Sequence, residues 1–485
     1  MFSFNHIISI QKEGKVSIYR QIAVAIIHAI SNGILKPGTH LPGSRDLAKI
    51  LGVHRKTVIA AYEELSAQDW IVIVPRKYVA VSESIPLLQF KKWSPSHVQA
   101  PYDNDLRMPF RLVDKNTPDE NVATIPEVII DDGHPDVRLS PIDDLLKTYR
   151  SLTARKYTAK KAGIGNTQGA LYLRQELATY LSETRGLNIT TDNLLITHGA
   201  QMSIYLSAHL LLNPASNVIV GKPNYPIANK TFAGTGANII EVKVDEEGID
   251  TDAIEAICKK KKINVVYVIP HHHYPTTVTL SVDRRMKLLA LSKAFSFVII
   301  EDDYDYEYHY TSSPYLPLAS AQHNGNIIYI GSFSKVLDPS IRIGFTVAPK
   351  NFIQQCTALR ETIDVGGDGY MQNALATLIK AGELKRHLKK AKKCYHQRRD
   401  FLDTLLKEKL STHISYTLPS GGMAIWIKLK PHLAVEKINA GPQLRISKID
   451  TAQNAFRFGF ASLDEKELTL AVALLEKNIR QIKKK

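Results

Sequence analysis

IIYIGSFSKVLDPSIRIG, residues 327–344, decides how most of the chain reads. Its first four residues are apolar and largely β-branched, which suits a strand. Apolar text without polar alternation means burial on both faces, as in a mostly parallel sheet. The chain then passes at once into Gly331-Ser332-Phe333-Ser334 and reaches Lys335. Four more runs share this plan: NLLIT (193–197), NVIV (217–220), VVYVI (265–269) and FVII (297–300). They are followed by HGAQ (198–201), GKPNYP (221–226), PHHHYPT (270–276) and EDDY (301–304). Open α/β sheets bind ligands beyond the carboxyl ends of their strands, so these five segments are expected to converge.

Their combined chemistry is specific. A lysine placed directly after a buried strand loses solvation, which lowers its pKa and lets it attack an aldehyde. Ser332 and Ser334 offer hydroxyls to a phosphate, and Arg342 a two-pronged guanidinium. Gly199, Ala200 and Gln201 lie where a helix begins, and the free amides there favour an anion. Asp302 can hold a ring nitrogen protonated, Tyr304 can meet a phenolate oxygen, and Tyr225 has a flat face for stacking. Aldehyde, phosphate, basic ring nitrogen and phenolate are the handles of pyridoxal 5'-phosphate. Taken singly, each piece has an ordinary reading as a surface lysine, a loop carboxylate or a turn glycine. Their conjunction in chain order is what carries weight. Three adjacent histidines (271–273) on an extended loop do not point one way, so no metal is expected there.

Outward from this region the text changes. Residues 82–126 hold prolines at 86, 95, 101, 109, 118 and 126 with few apolar periods, the composition of an extended linker. Residues 1–81 read as short helices and a small β pattern. Ser17 is placed to cap a helix with Ile18, Ile22, Ala25, Ile26 and Ala29 on one face, ending at Gly33. LPGSRDLAKILGVHRKTVIAAYEEL, residues 41–65, then gives two helices joined at Gly52, the first capped by Ser44 and the second running from about His54 to Gln68. That is a helix-turn-helix plan. It puts Arg45, Arg55, Lys56 and Thr57 near the helix starts, where phosphates and base edges are met. IVIV and YVAV flank Pro75-Arg76-Lys77, a hairpin with a basic tip.

Composition agrees. Of the 485 residues, 44% are hydrophobic and 22% charged, enough to bury cores in two or more folding units. The net charge of +15 suits a polyanion, and residues 1–81 carry ten Lys/Arg against five Asp/Glu. The basic run Lys380–Arg399 reads instead as the wet face of a helix. Cys258, Cys356 and Cys394 are isolated from one another, which argues against a disulfide framework or a zinc ribbon. No apolar run approaches the ~18 residues of a membrane span, and the start lacks the order of a signal peptide. No membrane partner is expected, and a reducing cytoplasm is the simplest home.

Across residues 15–81 the chain resembles the winged-helix domain of the GntR regulators, through IYRQIA, the Pro37-Gly38 turn, the 41–65 stretch and the closing strand. From about 127 to 480 it is similar to the fold-type-I aminotransferases, through GHPD (133–136), THGAQMSI (197–204), EDDYDYEY (301–308), GSFSKVLDPSIRIG (331–344), GGM (421–423) and FRFGFAS (456–462). The two together resemble the MocR subfamily of GntR-type bacterial regulators. The resemblance implies an α/β chain with three parts. These are a winged helix-turn-helix at 1–81, a linker at 82–126, and a transferase-like domain with a mostly parallel sheet at 127–485.

It also implies roles. Lys335 carries the cofactor as a Schiff base (the internal aldimine) and Asp302 pairs with the pyridinium nitrogen. Tyr304 meets the ring oxygen, and Tyr225 stacks on the ring. Arg342, Ser332, Ser334 and the Gly199–Gln201 turn hold phosphate. Arg457 matches the arginine that grips a substrate carboxylate, here an effector's. DNA falls to Arg45, Arg55, Lys56, Thr57, Arg76 and Lys77. The chain departs from the family at His54 (usually Ser), at the Pro-Arg-Lys tip (usually with Gly), at Ile164 (usually Tyr), and at Thr277 (usually Gly). Ile227 offers no second cation beside Tyr225.

The expected function is a transcriptional regulator that binds double-stranded DNA and senses pyridoxal phosphate, an amino-compound effector, or both. It is expected to act as a homodimer with domain-swapped partners, associated with the bacterial nucleoid when on DNA. The 45 residues of linker reach roughly 140 Å in polyproline-like form, enough to cross a dimer. A different class of function stays open: a working aminotransferase with an accessory DNA-binding domain, in which Lys335 moves a proton while the ring drains electrons. A scaffold that no longer holds cofactor is a third.

Overall fold

Apolar residues at helical spacing and short β-branched runs build the first of two units, Met1–Pro118 and Asp119–Lys485. The computed structural model describes residues 4–11, 16–85, 109, 126–154, 166–310, 315–438 and 443–483. Most of the expected linker and Ile164 lie outside them.

In the first unit the helix Ile18–Ser31 buries Ile22, Ala23, Ile26, Ala29 and Ile30. It packs on the helix Arg55–Ala67, which buries Val58, Ala61, Tyr62 and Leu65. Full burial of each such aliphatic side chain contributes about 1.5–3 kcal/mol. Between them, the helix Ser44–Leu51 ends at Gly52, whose φ of +63° makes the left-handed turn into the next helix. Strands β1 (His40–Leu41), β2 (Ile71–Val74) and β3 (Tyr78–Val81) form an antiparallel sheet in the order β1-β3-β2. Val74 pairs with Tyr78, so Pro75-Arg76-Lys77 is the hairpin tip. Arg76 adopts φ +60° there, the conformation that a glycine would take without strain.

The helix caps differ from expectation. Ser17 stands at a cap position, but its side chain accepts no cap hydrogen bond. Gly43, not Ser44, precedes the next helix. Ser44 is thus one residue inside it, and its Oγ instead accepts from Arg55 Nε at 3.3 Å, tying the two helices together. At the third helix the imidazole of His54 takes the capping role: Nδ1 accepts from the Lys56 amide at 3.2 Å.

In the second unit all five apolar runs are strands. With β4 (Val128–Ile130) set apart, the main sheet comprises β5 (Leu194–Thr197), β6 (Asn217–Lys222), β7 (Asn238–Asp245), β8 (Gly248–Ile249), β9 (Val265–Val268), β10 (Val298–Asp302), β11 (Ile327–Ser332) and β12 (Gly344–Val347). Their order is β5-β12-β11-β10-β9-β6-β7-β8. The pairs from β11 through β10, β9 and β6 to β7 are parallel. β12 is antiparallel to both β11 and β5. It returns the chain beside Lys335 and places Gly344 against the start of the helix that follows β5.

A smaller antiparallel sheet follows, with β13 (Ile414–Ser415), β14 (Ala424–Leu429), β16 (Ile449–Asp450) and β17 (Ala455–Gly459) in the order β13-β14-β17-β16. β15 (Leu444–Ile446) pairs in parallel with β4. The helices Glu383–Leu410 and Glu465–Lys483 share a core with this sheet. The basic run lies on the first of these, apart from Lys380, which ends the helix before it. Leu384, His387, Ala391 and Tyr395 turn inward while Lys385, Lys389 and Lys393 stay exposed and Lys392 is half-buried, as a wet face requires, but Arg398 and Arg399 at the end of the run are buried. No described helix is long and apolar enough to cross a membrane.

Candidate functional site

The carboxyl ends of β5, β6, β9, β10 and β11 surround a cavity of about 290 Å³. It is near the lower end of small-molecule pockets, roughly 300–1,000 Å³. Ala200, Gln201, Tyr225, Asp302, Tyr304, Ser332, Ser334, Lys335, Arg342 and Arg457 all line it. These are every residue singled out for cofactor or effector except Gly199, which sits directly behind Arg342.

One end of the cavity is built for an anion. Gly199, at φ +85°, precedes the helix Ala200–Leu211 and leaves the first amides of that helix unused within it. A Cβ on Gly199 would come within 2.9 Å of Arg342 Nη2, and one on Gly344 within 2.7 Å of Gly199 Cα. Gly344 is therefore required by close backbone approach, and Gly199 by its positive φ. Arg342 Nη2 donates to the His198 carbonyl at 2.9 Å, which fixes the guanidinium over the helix start. Ser332 Oγ accepts from the Ser334 amide at 3.1 Å, and the buried Ser334 hydroxyl has no partner among the described residues.

Another part of the lining suits a cation. Asp302, 4% exposed, is the last residue of β10. Its Oδ2 accepts from Tyr267 Oη at 2.6 Å, while Oδ1 is buried and unpartnered. Burial pushes this carboxyl up to about 7, helped by Asp303 and Asp305 and opposed by the Tyr267 hydrogen bond. An added N–H donor would satisfy Oδ1 and favour its charge. Tyr225 meets Tyr274 edge to face at 5.4 Å between ring centres. Tyr304 donates to the His272 carbonyl at 2.9 Å.

Lys335, whose side chain is 21% exposed, lines the same cavity. Its Nζ donates to the Gly133 carbonyl at 2.7 Å and lies 4.0 Å from Asp132 Oδ1. Burial lowers its pKa, and Asp132 partly offsets this. Burial alone would raise Asp132. The hydrogen bond with His134 and the charges of Lys335 and Arg457 outweigh it and hold the acid well below the usual range. Arg457, 2% exposed, is no surface arginine. Its Nε donates to the Asp132 carbonyl at 3.0 Å, its Nη1 to the Pro275 carbonyl at 3.1 Å, and it lies 4.8 Å over the Tyr274 ring.

Asp132, His134 and Tyr274 line the cavity and were not singled out as site residues by sequence reasoning. The acidic pair Asp131-Asp132 before Gly133 was the available signal. Nearby, the three histidines face separate partners: His271 Nδ1 with Asp303, His272 Nδ1 with Asp305 and His273 Nδ1 with Thr276. Thr277 keeps the left-handed turn at φ +62° that glycine would adopt more easily. Ile227 is exposed.

In the first unit Arg45, Arg55 and Lys56 are exposed and Thr57 is half-buried, on and beside the starts of the two turn-linked helices. Arg76 and Lys77 are exposed at the hairpin tip.

Comparison with known proteins agrees with both units. Residues 140–475 match the model of aminotransferase class I and II, and residues 18–81 match the bacterial regulatory proteins of the gntR family. The chain is 29% identical to the HTH-type transcriptional regulator YdfD of Bacillus subtilis, covering 88% of this chain and 87% of that protein. It is 27% identical to the HTH-type pyridoxine biosynthesis transcriptional regulator PdxR of Corynebacterium glutamicum, over 96% of this chain and 97% of that one. Among solved structures, kynurenine aminotransferase of Pyrococcus horikoshii superposes with a TM-score of 0.68 at 27% identity, covering 74% of this chain and 92% of that one.

Proposed function

The chain belongs to the aminotransferase class I and II family and carries a gntR-family regulatory domain ahead of it, and on that premise we propose a DNA-binding transcriptional regulator that senses pyridoxal phosphate, or an amine held with it, at Lys335. One observation carries the reading. A buried carboxylate with an unpartnered oxygen, a partly desolvated lysine and an anion cradle line one cavity, in a chain that also has a winged helix-turn-helix.

The residues fit the cofactor. Asp302 would take the ring nitrogen, Tyr225 and Tyr304 would bound the ring, and Lys335 would hold the aldehyde carbon. Ser332, Ser334, Arg342 and the Gly199–Gln201 helix start would hold phosphate. When bound, pyridoxal phosphate supplies an aldehyde that primary amines can capture and a ring that withdraws electrons. Burial lowers the pKa of Lys335, which makes its neutral amine easier to reach, and the Gly133 carbonyl orients it. Arg457, held by two backbone carbonyls, keeps a fixed cation in the cavity for an effector carboxylate.

Sensing then reduces to linkage. If the loaded cavity fits one arrangement of the chain better, loading shifts the population toward it and changes DNA affinity, and DNA must change the affinity of the cavity for its ligand by the same factor. In the proposed homodimer two reading heads meet two half-sites. The test is DNA binding by the loaded protein, the stripped protein and Lys335→Ala. Different isotherms or footprints are expected, and identical ones for all three would sink the sensing role. Arg457 beside Lys335 also favours amino-acid turnover, and an assay of an amino acid with a keto acid separates a working transaminase from a sensor.

A further inference from the structure

A second cavity, of about 480 Å³, is walled by the ends of β6 and β7 of the main sheet and by the small sheet at β13, β14 and the turn before β17. None of the residues given a role above lines it. Two features make it more than a crevice. Trp426 is 7% exposed, lines this cavity, and its indole N–H is buried without an acceptor among the described residues. A buried donor in that state needs an acceptor. The charges also do not cancel. Lys222 is paired with Glu241 at 2.5 Å, and Asp245 is held by both arms of Arg284 at 2.6 and 2.9 Å. That leaves Lys243 and Lys428, both exposed and neither ion-paired among the described residues, facing Glu246 and, for Lys243, the residual field of Asp245. Val244, Val278, Pro223 and the indole supply apolar wall.

We infer that this cavity is a second ligand site, for a small organic carboxylate held by Lys243, Lys428 and the Trp426 N–H, and that it communicates with the first. The two share a wall. Trp426 on β14 is the register partner of Arg457 on β17, so both stand on one face of the small sheet. The loop between them is common as well. Tyr274 lines the first cavity, Thr276 and Val278 line the second, and the Pro275 carbonyl accepts from Arg457. An anion drawn against the indole therefore bears on the arginine and on the loop that positions it. The apolar wall favours a carbon skeleton over a bare inorganic anion.

The test uses the full chain with Trp70→Phe and Trp93→Phe, so that Trp426 is the only tryptophan and is excited selectively over tyrosine. Succinate, citrate, inorganic phosphate and the neutral control succinamide are titrated separately. Saturable change with a carboxylate is expected, weakened about tenfold or more in Lys243→Ala/Lys428→Ala. Slower amide exchange across Tyr274–Val278 should accompany it. This readout does not depend on pyridoxal phosphate, so it stands or falls apart from the function proposed above. No saturation up to about 10 mM, or equal binding by the double variant, overturns the site. Saturation by phosphate alone overturns the carboxylate class, and saturation with unchanged exchange in the loop overturns the communication.

Discussion

Tyr267 Oη and Asp302 Oδ2 are 2.6 Å apart across neighbouring strands β9 and β10, and this bond leaves the second oxygen of Asp302, a residue that lines the cavity, buried without a donor. Here the main sheet has been built to serve chemistry rather than stability. Replacing Asp302 with Asn tests the sign. The folded pKa, about 7, lies above that of an unfolded aspartate. The stability cost of the charge is therefore absent at low pH, grows as pH rises through the unfolded value, and is complete above 7. The cofactor-free Asp302→Asn chain should be more stable than the parent by on the order of 2–4 kcal/mol at pH 8, with a smaller gain near pH 5. Its affinity for pyridoxal phosphate should fall by roughly tenfold or more, because a neutral amide cannot hold the ring nitrogen protonated. Denaturation midpoints and cofactor titration read the two effects, which have opposite signs.

Lys335 should be the site of covalent capture. Borohydride treatment of the loaded protein is expected to leave a pyridoxyl group on the Lys335 peptide, found by mass spectrometry, and none there in Lys335→Ala. Burial lowers the lysine's pKa and Asp132 raises it. Half-maximal labelling should therefore come at a pH below the ~10.4 of a free lysine. Asp132→Asn should move it lower still. An upward shift in that variant would mean that Asp132 does not act on Lys335 as its 4.0 Å separation implies.

His54 replaces the hydroxyl cap with an imidazole nitrogen. His54→Ala should cost the first unit about 1 kcal/mol, while His54→Ser should cost little, because serine also accepts from the first turn. Faster amide exchange at Lys56 in the alanine variant alone would support this. Equal exchange in all three would show that the ring contributes nothing to the cap.

Much of this was legible in the chain, for identifiable physical reasons. IIYI, VVYVI and FVII became parallel strands because β-branched runs buried on both faces leave little else for the backbone to do. The residues immediately after them, Asp302 and Lys335 among them, met at one cavity because parallel strands bring their carboxyl ends to one edge. What escaped was non-local. Asp132 and Tyr274 reach Lys335 only because segments about 60 to 200 residues apart are folded together, and no spacing rule carries that. β12 is four residues long and antiparallel, too short to announce its direction. At the caps a shift of one residue moved Ser44 from flank to first turn, which changes its hydrogen-bond partner entirely.

Lys56 decides whether the first unit reads DNA through the face described. It stands exposed in the first turn of the helix Arg55–Ala67, beside Arg55, whose Nε is already committed to Ser44 Oγ. A cation at that helix start meets phosphate if the helix enters the major groove, and each phosphate contact releases condensed counterions from the duplex. Lys56→Ala should therefore weaken binding across sequences alike and reduce the slope of log affinity against log salt by about 0.9. Arg76→Ala and Lys77→Ala at the hairpin tip should each do the same if the tip lies on the backbone. Should only these two lower the slope while Lys56→Ala does not, the contact belongs to the hairpin, and the helix start lies away from the phosphates. A slope that all three leave unchanged would place the nucleic acid on another surface altogether.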